Sequence, residues 1–198
     1  MKVIGLCGGS GSGKGAVSAV FTELGIPCID TDAVYHELTA APSLCLDELV
    51  CEFGESVIKD GALDRRALAE IVFSVDKSGE SLKRLNSISH RHILARAREL
   101  IRQYSEGGAE IVVVDAPVLF ESGFDRECQL TLAVIADPEE RIKRIMARDN
   151  MTYSAASKRI NNQKTDEWLI ANTDAQIFNN GSIAELREAV IAFVNDIK

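Results

Sequence analysis

The residues best suited to chemistry in this chain are a glycine-rich stretch closing on lysine, acids that end apolar runs, and a row of arginines. The stretch Gly8-Gly9-Ser10-Gly11-Ser12-Gly13-Lys14 fits the pattern G-x-x-x-x-G-K. Glycines allow backbone N–H groups to converge on an anion without Cβ clashes. A helix starting at the lysine adds unpaired N–H groups and a partial positive charge. Lys14 adds a full charge to reach outer phosphates. Gly9, Gly11, Ser12, Gly13, Lys14, Gly15 and Ala16 are therefore the expected nucleotide-phosphate contacts. The position after the lysine ordinarily carries Ser or Thr, whose hydroxyl binds Mg²⁺. Here it is Gly15.

Asp30 and Asp32 close the short run Ile26-Pro27-Cys28-Ile29. Strand alternation predicts them on one face, where doubly wound sheets bind ligands; the alternative is that one of them caps the next helix. Asp115 ends the β-branched run Ile111-Val112-Val113-Val114. An acid there is a partner for a phosphate loop, ordering the water shell of a metal, or else a plain strand-end residue. Arg141, Arg144 and Arg148 follow at i, i+3 and i+7, so a helix carries them on one face. Arginine forks match phosphate geometry, and a row of them in an acidic chain predicts a lid closing over phosphates rather than a solvated face.

These groups need elements to position them. Lys2–Cys7 reads as a buried strand and Lys14–Leu24 as a helix stopping at Gly25. Residues 111–114, 130–135 and 175–178 read as further strands, the first as a parallel buried one. Asn179-Asn180-Gly181-Ser182 is a turn, with Ser182 and Glu185 forming a capping box for a last helix to about Asn195. The segment from Ala33 to Glu106 has no convincing strand; Glu48–Phe53, Arg65–Phe73, Ser81–Ile88 and Ile93–Tyr104 are amphipathic helical patterns, broken at Pro42, Gly54, Gly61 and Gly79. The expected architecture is an α/β three-layer sandwich with a central parallel sheet, a core of residues 1–33 and 109–198, an inserted helical subdomain at 34–108 and a helical lid at about 140–168.

The whole chain sets bounds. Its 198 residues suffice for one sizeable core. A formal charge of -8 argues against general nucleic-acid or membrane-surface binding. No apolar run reaches membrane-span length, and the N-terminus enters a strand directly, so no signal peptide is expected. Five cysteines without a C-x-x-C pair suit neither a disulfide framework nor a zinc site, and predict reduced thiols and a cytoplasmic location. A switch GTPase is expected to carry an N-K-x-D base-reading motif, which is not found, and a motor needs a further domain; a small-molecule kinase remains. Asp32 is the best-placed carboxylate to orient an acceptor hydroxyl and take its proton.

Taken in order, the loop Gly8–Lys14, Asp30-Thr31-Asp32 with His36, Leu85-Asn86-Ser87-Ile88-Ser89-His90, Asp115–Ser122 (D-A-P-V-L-F-E-S), Arg141–Asp149 (R-I-K-R-I-M-A-R-D), Arg159 with Gln163, and Ile177–Ser182 resemble dephospho-CoA kinases of the phosphate-loop class. The resemblance implies ATP-dependent phosphorylation of the ribose 3′-hydroxyl of dephospho-coenzyme A, with Mg²⁺. It implies catalytic roles for Asp32, Lys14 and Arg144, and closure of Arg144 and Arg148 over the nucleotide. It places Asn180 and Gly181 near the adenine, and Asp32, His36, His90, Phe120 and Glu121 at the acceptor. Asp115 is the expected metal residue, acting through water. Neither nucleic acid nor membrane is an expected partner, and a monomer or small homo-oligomer is expected. Two positions depart from the family pattern: Gly15, and Arg91 where proline is usual, so that a helix is expected to start differently there. A kinase for another nucleoside or nucleotide, and a nucleotide-binding regulator without catalysis, stay open on sequence alone.

Overall fold

Five apolar runs pair into one sheet, and the polar segments between them wind into helices. The structure, a computed structural model, describes residues 1–40, 42–75 and 78–198. In chain order the elements are β1 (Lys2–Gly8), α1 (Lys14–Glu23), β2 (Cys28–Asp30), α2 (Thr31–Ala40) and α3 (Leu44–Phe53). A short hairpin, β3 (Ile58–Lys59) and β4 (Ala62–Leu63), leads to α4 (Arg65–Ala69), a π-helical stretch at Glu70–Val75 and the long α5 (Glu80–Glu106). Then come β5 (Ile111–Asp115), β6 (Leu130–Ile135), α6 (Pro138–Asp149), α7 (Tyr153–Asn161), α8 (Asp166–Asn172), β7 (Ala175–Phe178) and α9 (Ile183–Ile197).

The sheet order is β2-β5-β1-β6-β7, and β1 runs parallel to both neighbours. Every residue of β5 is buried, as its unbroken β-branched run requires of a central parallel strand. Register matters for function: Leu6 lies opposite Asp115, and Gly8 opposite Val134. The loop after β1 and the acid that ends β5 therefore emerge at the same carboxyl edge, where open parallel sheets bind ligands. One face of the sheet (Ile4, Leu6, Val113, Leu132, Val134) packs on Val17, Val20 and Phe21 of α1 and on Leu186, Val190 and Val194 of α9. Phe21 and Phe193 meet edge-on at 6.2 Å between centroids. Each such fully buried side chain contributes about 1.5–3 kcal/mol, so the loop stands on a firm base.

The chain divides into two compact units, one of Met1–Ile29 with Gln103–Lys198 and one of Asp30–Arg102. The second has its own small core of Val57, Leu68 and Val72. Four local expectations are corrected in this unit. The region holds a hairpin: Asp60 (φ 53°) and Gly61 (φ 80°) both adopt the left-handed conformation that a tight two-residue turn demands. The separate helices expected at 81–88 and 93–104 are one helix of 27 residues, because nothing from Glu80 to Glu106 is Gly or Pro. Arg91 accordingly sits inside α5 and starts no helix; its guanidinium pairs with Glu48. Finally, Asp30 and Asp32 do not alternate along a strand. The chain turns helical at Thr31, and Asp30 Oδ1 caps that helix by accepting from the N–H groups of Asp32 (2.8 Å) and Ala33 (3.2 Å).

Candidate active site

The glycine loop crosses from β1 to α1 with its lysine as the first helical residue. Gly13 is the N-cap at φ 97°, and a Cβ there would collide with the Asn179 side-chain amide. A Cβ on Gly9 would collide with the Arg141 guanidinium. The loop is glycine-rich for two reasons, a left-handed turn and close packing from behind.

Arg141 supplies that packing. It is only 2% exposed. Its Nε donates to the Ser10 carbonyl (3.0 Å), Nη1 to Asp166 (2.9 Å) and Nη2 to Gln163 Oε1 (3.2 Å). Gln163 in turn accepts from the Ser10 N–H (2.9 Å) and donates to the Ser10 hydroxyl (3.0 Å). Arg144, one turn further along α6, donates to the carbonyls of Gly11 (3.2 Å), Ser12 (3.4 Å) and Asn179 (2.9 Å). The buried Asn179 amide donates to the Ser12 carbonyl at 2.7 Å. The carbonyls of Ser10, Gly11 and Ser12 are thus tied back by arginine and amide donors, while the Ser10 N–H is taken by Gln163 and the Ser12 N–H by the Gly9 carbonyl.

Arg148 has different surroundings from the other two arginines. It is exposed and forms a fork with Asp149 (2.7 and 2.9 Å), whose carboxyl it holds down at about 2 with help from Arg159. One helical face therefore places Arg141 under the loop, Arg144 beside it and Arg148 on Asp149.

Lys14 forms an ion pair with Asp115, whose other oxygen accepts from the Ser18 hydroxyl at 2.9 Å. The Ser12 hydroxyl is buried and makes no hydrogen bond among the described residues. An orphaned buried donor costs about 1–3 kcal/mol. An orphan hydroxyl beside a lysine and a glycine-rich turn fits the phosphates of a nucleotide. Gly15 lies in the first turn of α1, and a Cβ on it would meet nothing within 4 Å. Ala16 is the next residue, packed against the sheet core. Among the described residues no group of three or more His, Cys, Asp or Glu could hold a metal ion unaided. Mg²⁺ keeps several waters and rides on substrate phosphates, so it needs few protein ligands, and Asp115 fits a contact through water.

Next to Gly8 and Gly9 lies a cavity of about 330 Å³ lined by Phe120, Glu121, Gln163 and Lys164. Phe120 meets Trp168 edge-on at 4.9 Å, and Lys164 Nζ lies 3.9 Å over the Trp168 ring and 3.3 Å from Glu121. Cys7, at the back of this cavity, has its thiol pushed up to about 12 by burial, which makes it inert at neutral pH. Asn180 accepts from the Asp137 N–H (2.8 Å) and donates to the Asp137 carboxylate (3.0 Å), fixing the turn before α6. Gly181 is exposed beside it.

In the second unit, Asp32 and His36 are exposed on α2, and His90 is half-buried on α5. Gly9, Gly11, Ser12, Gly13, Lys14, Asp115 and Arg144 are thus brought together, with Phe120 and Glu121 adjoining. The residues missed as loop contacts are Arg141, Gln163 and Asn179. All three stood in recognised motifs, but nothing in their spacing told that their side chains turn onto the loop.

A glycine-lined anion cradle, closed by a lysine and flanked by a strand-end acid at the carboxyl edge of a parallel sheet, defines a phosphate-loop phosphotransferase. A family model described as dephospho-CoA kinase matches residues 2–185. The dephospho-CoA kinase of Fusobacterium nucleatum is 34% identical over 198 residues, covering 100% of this chain and 99% of its own length. Among solved structures, TT1252 from Thermus thermophilus superposes with a TM-score of 0.82 at 33% identity, covering 100% of this chain and 98% of that one. The dephospho-CoA kinase from Campylobacter jejuni superposes at 0.72 with 26% identity, covering 98% and 96%. The chain belongs to the dephospho-CoA kinase family.

Proposed function

We propose that this chain phosphorylates the ribose 3′-hydroxyl of dephospho-coenzyme A at the expense of ATP, the final step of coenzyme A biosynthesis. The observation that carries the reading is the tied-back glycine loop with its Lys14–Asp115 pair, in a chain that matches the family over residues 2–185. ATP supplies the γ-phosphoryl group, and Mg²⁺ offsets phosphate charge.

The chain's own residues then have separate tasks. The N–H groups of Gly9, Gly11 and Gly13 and the Ser12 hydroxyl hold the phosphates, and Lys14 neutralises charge on the phosphoryl oxygens during transfer. Asp115 would hold Mg²⁺ through water, with Lys14 and Ser18 fixing the carboxylate. Arg144 braces the loop and stabilises charge on the transferring group. Asp32 orients the acceptor hydroxyl and takes its proton. His36 and His90 belong to the acceptor side, and Phe120 and Glu121 line the cavity that offers a ring-stacking wall with an acid beside it. Asn180 and Gly181 border the nucleotide base, and Arg148 closes over the phosphates when it leaves Asp149. The nucleotide-binding core is residues 1–33 and 109–198, the acceptor subdomain 34–108 and the lid about 140–168.

No helix among the described residues is long and apolar enough to cross a membrane. Five unpaired thiols support work in the reducing cytoplasm. Phosphorus NMR and mass measurement of the product test the assignment: a new phosphomonoester on the ribose of dephospho-coenzyme A is expected. Phosphate transfer only to adenosine or AMP would replace the acceptor, and tight ATP binding with no transfer would remove the activity.

A further inference from the structure

Asp32, Tyr35 and His36 stand at i, i+3 and i+4 on α2 and share one face. Arg65, the first residue of α4, lies against that face. Its Nη1 donates to His36 Nε2 at 2.7 Å, and its guanidinium carbon is 5.5 Å from the centre of the Tyr35 ring. The backbone beneath it is fixed, because Asp64 Oδ1 caps α4 by accepting from Arg66 N–H (2.9 Å) and Ala67 N–H (3.0 Å).

The character of the two partners is informative. An imidazole that accepts at Nε2 is neutral, with its proton on Nδ1. A tyrosine ring attracts a guanidinium without cancelling its charge. Other arginines of this acidic chain are neutralised: Arg84 by Glu52, Arg91 by Glu48, Arg96 by Glu37, Arg141 by Asp166 and Arg159 by Asp149. Arg65 has no carboxylate partner among the described residues. It is held in place and exposed, with its full charge and most of its N–H fork available.

We propose that Arg65, oriented by His36 and Tyr35, binds the diphosphate of the acceptor. The inference rests on the reading of dephospho-coenzyme A as acceptor. In that molecule the ribose that carries the reacting hydroxyl also carries the diphosphate, on its 5′ side. From Asp32 to His36 the helix rises about 6 Å, a span suited to a hydroxyl at one end and a phosphate at the other. A planar fork recognises a diphosphate through paired N–H bonds, where an ammonium offers a point charge. Arg65 is then a specificity residue, since it favours acceptors with phosphate at that distance over bare nucleosides.

The test is calorimetric binding of dephospho-coenzyme A to the native protein, Arg65→Gln and Arg65→Lys across a salt series, with ATP binding as control. Arg65→Gln is expected to weaken dephospho-coenzyme A about tenfold or more and to flatten its salt dependence, with ATP affinity unchanged. Arg65→Lys is expected to recover part of the affinity and the native salt slope. Undiminished binding to Arg65→Gln, while the native protein binds, overturns the role of Arg65 alone. A loss in Arg65→Lys equal to that in Arg65→Gln, with an unchanged salt slope in both, overturns it too, as a purely structural effect. If the native protein does not bind dephospho-coenzyme A, the acceptor assignment fails and the diphosphate subsite with it.

Discussion

Replacing Arg141 with methionine tests whether the loop's shape depends on what lies behind it. The guanidinium is 2% exposed and its partner Asp166 is 20% exposed. Removing one member of a buried pair strands the other, at about 3–5 kcal/mol. Unfolding entropy of about 2.1 cal/mol/K per residue, applied to 198 residues, translates this into a melting point lower by about 7–12 °C. The loss is pH-dependent, with a definite sign. Burial already pushes the Asp166 carboxyl up, and Arg141 is the main influence pulling it down. Without Arg141 its folded value rises further above the unfolded one. A raised carboxyl favours folding while protonated, and that contribution is lost as pH rises through the folded value. The deficit of Arg141→Met is therefore larger at about pH 7 than at about pH 4.5. Scanning calorimetry of Arg141→Met and of the exposed control Arg148→Met, at both pH values, makes the comparison. ATP affinity should fall with the first substitution, because the Ser10 carbonyl and Gln163 lose their donor. A melting point within about 2 °C of the parent at both pH values, with ATP affinity intact, would refute the buttress argument.

Gly13→Ala places a Cβ against the Asn179 amide at φ 97° and is expected to abolish ATP binding in a filter or fluorescence assay, whereas Gly15→Ala, with open space around its Cβ, should leave it intact. Gly15→Ser restores the hydroxyl this chain lacks; Mg²⁺ should then strengthen ADP binding up to about tenfold more than in the parent, by calorimetry. Thiol titration of the native protein should find Cys51 reacting first, because it is exposed while burial lifts Cys7 and Cys128 to about 12 and Cys45 to about 11. Cys51→Ser should then remove most of the fast reaction.

Local chemistry was legible where it repeats over a few residues. The strand runs at 130–135 and 175–178, the capping box of Ser182 and Glu185, and the start of α1 at Lys14 follow from short-range patterns. The Lys59-Asp60-Gly61-Ala62 turn was equally legible as a hairpin signal, but the strands it joins have two residues each, too short for any alternation. Asp30 and Asp32 were misplaced because a strand rule was carried one residue past Thr31, where capping had already taken over. The arginine row shows a different limit. Spacing fixes a shared helical face, yet whether a guanidinium reaches Ser10 or Gly11 depends on how α6 crosses the loop. Asn179 and Gln163 reach the loop from 167 and 153 residues away in sequence, and no local pattern encodes a contact of that range.

The most direct measurement is the rate of ADP release by the native protein with ATP and Mg²⁺, compared among dephospho-coenzyme A, adenosine, AMP and no acceptor. The account predicts rapid release with dephospho-coenzyme A, little with the others, and loss of that release in Asp32→Asn while ATP still binds. Equal release with every acceptor, or undiminished turnover in Asp32→Asn, would contradict it.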